Sequence, residues 1–172
     1  FGLILILLGL IKKIIFADSI APFVDNIFQQ FPNTANEAWI GAILYSFQVY
    51  FDFSGYSDIA IGTSRLFNIK LMDNFKTPYL AKSMGEHWQR WHISLSTWFR
   101  HYLYIPMGGS RVSKLKSVRN IVVIFLVSGL WHGANWNCIL FGFLHGLGLI
   151  INHLYKAKHI NLFKYIPSIF RK

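Results

Sequence analysis

Two histidines stand where an imidazole could do chemistry. His132 lies in "LWHGANW" and His92 in "RWHISLS". Imidazole can stay uncharged near neutral pH and still take a proton, so either ring suits a general base acting on a hydroxyl. His132 is followed by Gly133 and Ala134, small residues that let a backbone or a ligand approach. Asn135 adds a neutral hydrogen-bond donor, and Trp131 and Trp136 can wall a dry passage. Ser96 stands four residues after His92, one helical turn away, within reach of a shared hydrogen-bond network. Spacing alone leaves a structural role for His132 as open as a catalytic one. His145, between Leu144 and Gly146, reads as a hydrogen bonder in helix packing. His101, His153 and His159 lie among loop-like or basic residues and read as interfacial and solvated.

Other chemistries lack their residues. No HExxH and no carboxylate–histidine cluster has metal spacing, and a single cysteine, Cys138, rules out an internal disulfide and a multi-cysteine zinc site. No metal is therefore expected. "FSGYS" lacks the glycine pattern of a nucleophile elbow, and no phosphate-cradling glycine loop is present. The basic residues are not interleaved with aromatics along a soluble face, which argues against nucleic acid.

The elements that must position these residues belong to a membrane. Hydrophobic residues make up 53% of the chain and charged ones 14%, with a mean hydropathy of +0.38. A soluble domain carries about 25% charged residues. The net charge of +10 marks cytoplasmic loops by the positive-inside rule. Residues 1–17 give most of one span, and Phe1 is read as a cut through an existing transmembrane helix. Residues 17–36 form a polar connection with a short amphipathic stretch and a break at Pro32. Asn36-Glu37 opens a second span that runs to about residue 62. Its second half carries Asp52, Ser54, Tyr56, Ser57 and Asp58, which lipid would not tolerate. The aspartates are expected to pair with Arg65 or Arg90. Residues 64–84 read as a loop or interfacial element.

The period of Trp88, Trp91, Leu95, Trp98 and Tyr102 predicts one amphipathic helix over 85–106, lying at the interface. Residues 107–120 read as a glycine-hinged basic loop facing the cytoplasm. Residues 121–155 are too long for one untilted span and predict a hairpin, 120–133 inward and 136–155 back, with His132 at the turn. The expected fold is all-α: a polytopic membrane protein of transmembrane helices with interfacial or re-entrant helices. Residues 1–172 read as a single membrane-embedded domain, truncated on its N-terminal side. On residues alone, a transporter or channel segment relaying protons through Asp52, Asp58 and the histidines is a rival to an enzyme, and a membrane scaffold is a third reading.

The stretch "FDFSGYSDIAIGTSRLFNIKLMDNFKTPYLAKSMGEHWQRWHISLSTWFRHYLYIPMGGSR", followed by "LVSGLWHGANWNCILFGFLHG", resembles the membrane-bound O-acyltransferase family. "LIKKIIFADSIAPFVDNIF" is similar to its bacterial alginate O-acetyltransferase branch, and the resemblance runs over about residues 8–155. It implies a multi-span enzyme of the bacterial inner membrane. Such an enzyme moves an acetyl group from a cytoplasmic acyl thioester, acetyl-CoA or another, toward hydroxyls of an exported polysaccharide. It implies no bound cofactor and a separate periplasmic or extracellular acetyltransferase as partner. The family's histidines fall on His132 and His92. On this reading His132 is the base, while His92 orients the acceptor or donates to the oxyanion, as Asn135 could. Trp131 and Trp136 shape the passage, and Arg111, Lys114 and Lys116 attract phosphates of the donor. Where many relatives carry an acid after "WFR", this chain has His101.

Overall fold

The computed structural model describes residues 1–30 and 34–157. Pro32 and His159, both singled out above, lie outside them. No strand occurs among the described residues. The chain packs as two compact units, residues 1–75 and 76–172.

In the first unit, α1 (Gly2–Leu10) runs through a π-helical stretch (Ile11–Ala17) into α2 (Asp18–Gln29), so the expected polar connection is helical up to Gln29. The register change comes just before Pro22, whose ring cannot donate to the carbonyl of Asp18. The long helix α3 (Ala35–Leu66) starts at a complete capping box. Glu37 N–H donates to Thr34 Oγ1 (3.2 Å), and Thr34 N–H donates to the Glu37 carboxylate (3.2 Å). Such a cap contributes about 1 kcal/mol, and it places the helix start at Ala35, just before the expected Asn36-Glu37.

Glycine lets α1 and α3 touch. A Cβ added to Gly55 would meet the Gly9 carbonyl oxygen at 2.7 Å, and one added to Gly62 would meet that of Gly2 at 2.6 Å. The two pairs are seven residues apart on both helices, so small residues recur along one face of each. That is how backbones approach where lipid offers no hydrophobic drive between helices. Beside this seam lie the ion pairs Lys12–Asp58 (2.5 Å) and Lys13–Asp52 (2.8 Å). The aspartates thus pair with lysines of the π stretch. The guanidinium of Arg65 sits over the Phe1 ring, and Arg90 pairs with Glu86 one turn back on its own helix. A lysine one turn from a glycine contact was the nearer cation, and only the fold brings it there.

In the second unit, a 3₁₀ turn (Pro78–Leu80) leads to α4 (Met84–Arg90) and α5 (Ile93–Phe99), which continues as a π stretch (Arg100–Tyr104). The single helix expected over 85–106 is broken. Trp91 is extended and His92 is left-handed, at φ +43° and ψ +57°. The aromatic stripe is therefore shared by two short helices. Gly108 and Gly109 then turn the chain with positive φ, and α6 (Lys114–His132) begins inside the expected loop. Next comes α7 (Trp136–Ala157), so the hairpin falls where the sequence placed it.

Within this pair, a Cβ on Gly142 would collide with the Phe125 carbonyl oxygen, and one on Gly129 with that of Cys138. Ile121, Phe125 and Ile150 form the core, with Trp88, Tyr104, Val118, Val122 and Leu149 packed on it. Asn120 is fully buried: its Nδ2 donates to the Met107 carbonyl (3.0 Å), and its Oδ1 accepts from Arg119 (3.0 Å). Both α6 and, over Trp136–Tyr155, α7 are long and apolar enough to cross a membrane. At about 48 Å, α3 is longer than a bilayer core needs, but its polar second half keeps it below the same apolarity.

Candidate functional site

The break at Trp91–His92 and the end of α6 set the site. The left-handed conformation costs a residue with a side chain about 1–2 kcal/mol, and such strain concentrates at functional positions. It makes His92 the residue that opens α5. The Ser96 hydroxyl donates to the Trp91 carbonyl (3.2 Å), and its backbone N–H donates to that of His92 (3.0 Å). Ser96 therefore steadies the break through the backbone, not through the imidazole network expected from its spacing.

His132 is the last residue of α6 and is exposed. Trp131 stands between the two histidines. Its ring centroid lies 6.1 Å from that of His92 and 4.9 Å from that of His132, the latter edge-on. The structure thus brings together the two imidazoles that the sequence singled out 40 positions apart. Burial, and secondarily the nearby His132, depress the His92 pKa from its ordinary 6.5 to about 4. His92 is then uncharged at pH 7.

A histidine whose folded pKa lies below its unfolded value stabilises fully above pH 6.5 and loses that contribution as the pH falls toward 4. Ring NMR of the full-length protein, selectively labelled at histidine, should show His92 neutral down to about pH 5. A midpoint near 6.5 would contradict the burial.

Asn135 caps α7: its Oδ1 accepts from the Cys138 N–H at 2.9 Å. The amide nitrogen faces Gly133, where an added Cβ would lie 3.2 Å from it. The acceptor half is thus committed to the helix, and the donor half is turned toward the residue after His132. Trp131 and Trp136 are 58% and 83% exposed, open faces at the hairpin tip.

Arg111, Lys114 and Lys116 are exposed. Arg111 follows the glycine turn, and the two lysines open α6, whose first turn has no acid. Lysines at a helix N-terminus oppose its dipole, so their placement favours an anion over helix stability.

Phe141 and His145 join this cluster from α7. Phe141 meets the His132 ring edge-on at 5.8 Å and the His145 ring at 4.4 Å. His145 is edge-on to Trp88 at 5.2 Å, and its buried Nδ1 has no hydrogen-bond partner among the described residues. It packs as a ring and does not act as the hydrogen bonder expected. The 141/145 spacing of i, i+4 was the available signal, but only the hairpin puts it opposite His132. No group of three metal-ligating side chains occurs among the described residues.

Paired apolar helices, a broken interfacial helix and two imidazoles around one indole define a helical membrane protein with a histidine site. The chain belongs to the membrane-bound O-acyltransferase family, whose model matches residues 1–166. It is 50% identical over 143 residues to the probable alginate O-acetylase AlgI of Azotobacter vinelandii, covering 83% of this chain and 29% of that protein. It is 47% identical over 155 residues to the peptidoglycan O-acetyltransferase of Helicobacter pylori, covering 90% and 29%. It is 30% identical over 180 residues to the teichoic acid D-alanyltransferase of Bacillus subtilis, covering 97% and 44%. The chain spans less than a third of the length of the first two relatives.

Proposed function

We propose that the protein to which this chain belongs is an O-acyltransferase that moves an acetyl group from a cytoplasmic acyl thioester to hydroxyls of an exported polysaccharide. The observation that carries this is the pairing of His92 and His132 across Trp131 in a chain of this family. The relatives named for alginate and peptidoglycan acetylation support acetyl as the group and a glycan as the acceptor.

In this reaction the acceptor hydroxyl attacks the thioester carbonyl. Its proton passes to the neutral ring of His132, the tetrahedral oxyanion collapses, and the thiolate leaves, taking the proton. His92, neutral at pH 7, orients the acceptor hydroxyl or donates its ring N–H to the oxyanion. The Asn135 amide nitrogen is a second donor. Trp131 and Trp136 wall the approach. Arg111, Lys114 and Lys116 draw the donor's phosphates, and the α6 N-terminus adds to that pull. The proposed setting is the bacterial inner membrane, with a separate periplasmic or extracellular acetyltransferase as partner.

Full-length protein in nanodiscs, given radiolabelled acetyl thioester and a soluble glycan, should release free thiol and acetylate the glycan in equal amounts. Thiol release with no labelled glycan, or neither, would refute the reading.

A further inference from the structure

Charge divides unequally along the chain. Residues 76–172 hold thirteen of the seventeen Lys and Arg, with Glu86 as their single acid. Residues 1–75 hold four cations, Lys12, Lys13, Arg65 and Lys70, against six carboxylates. An anionic donor is drawn to the second unit; the first offers it nothing.

The first unit nevertheless carries a small open cleft of about 320 Å³, walled mostly by Phe53, Tyr56 and Ile59, with Lys13 and Asp52 as its charged pair. That volume lies at the lower end for small-ligand clefts. Lys13 Nζ donates to Asp18 Oδ1 (2.7 Å) and pairs with Asp52 Oδ1 (2.8 Å). Two of its three ammonium protons are thereby engaged and one remains. Asp52 keeps its second oxygen as an acceptor. Tyr56 is 67% exposed, so its ring is an open face beside this pair. On the neighbouring side of α3, Ser54 and Ser57 are buried, and their hydroxyls have no partner among the described residues.

A flat exposed ring next to one acceptor and one donor matches a sugar. The C–H face of a pyranose packs on an aromatic ring, and vicinal hydroxyls both donate and accept. A phosphate would be repelled by Asp18 and Asp52, and a purely apolar ligand would strand the ion pair. We propose that this cleft binds a sugar ring of a neutral glycan, stacked on Tyr56 with its hydroxyls bridging Lys13 and Asp52. The choice of a glycan rests on the acyltransferase reading. The cleft itself is a binding site that the transfer chemistry does not require.

Equilibrium binding of a neutral β-linked N-acetylglucosamine tetrasaccharide to the full-length protein in nanodiscs tests this without turnover. Wild type and Gly148→Ala, a substitution against the flexible end of Met84, should bind alike. Tyr56→Ala should weaken binding about tenfold, Tyr56→Phe should hold it within about twofold, and Asp52→Asn should weaken it several-fold. Phosphocholine, offered as a lipid-headgroup probe, should not compete. Binding that ignores Tyr56 and Asp52, no binding by wild type, or displacement by phosphocholine overturns the site. Tyr56-dependent binding by a protein that transfers no acetyl keeps the site and removes the acyltransferase reading.

Discussion

His132→Ala in the full-length protein should lower acetyl transfer by about 10²–10⁴-fold while the protein still accumulates in the membrane. The size is that of a positioned general base, equivalent to about 3–5.5 kcal/mol of barrier. The side chain ends α6 and is exposed. Removing it deletes no core contact: the core of this unit is Ile121, Phe125 and Ile150. Its nearest ring neighbours, Trp131 and Phe141, are themselves exposed. Stability should therefore change little. Imidazole added to the His132→Gly variant should restore part of the rate, which a structural histidine would not allow. Transfer at the wild-type rate removes His132 from the mechanism, and loss of the protein from the membrane makes it structural.

Gly142→Val should cut accumulation of the full-length protein several-fold or more. An added Cβ would strike the Phe125 carbonyl oxygen and lie 3.0 Å from Gly129 Cα and 3.1 Å from Gly129 N. All three are backbone atoms, so no side chain can rotate away and α6 must part from α7. Overpacking costs about 1–3 kcal/mol where neighbours can yield, and losses of 1–2 kcal/mol already change abundance several-fold. Gly148→Ala is the control on the same helix. Its Cβ would meet Met84 Cε at 3.3 Å, the far end of a flexible side chain. That variant should accumulate like wild type, measured by immunoblot of isolated membranes. Equal accumulation of both variants would show that the glycine contact does not hold the hairpin.

The hairpin was legible because two apolar runs flank Gly133, Ala134 and Asn135, a break that periodicity reports directly. The start of α3 was legible within two residues from Asn36-Glu37. The break at His92 was not, because the stripe from Trp88 to Tyr102 keeps helical spacing across it. A left-handed residue leaves no trace in a hydrophobic period. The start of α6 was hidden for the opposite reason: Lys114 and Lys116 look like loop, though the exposed first turn of a helix tolerates lysines on either side. Partners of Asp52 and Asp58 were missed because ion pairs between helices depend on register, which the Gly9–Gly55 contact sets. His92 and His132 were found by residue type, and their meeting at Trp131 needed the fold.

Asn120 has a consequence for recognition. Its amide spans the Met107 carbonyl and the Arg119 guanidinium from a fully buried position. The turn that carries Arg111 is thus moored at its base, and Lys114 and Lys116 rise from a rigid helical stem. Cations on a fixed mount surrender less freedom when they grip a ligand than cations on a loose loop. Unmooring the turn, by Asn120→Leu for example, should leave every charge in place and still slacken the hold on an anion.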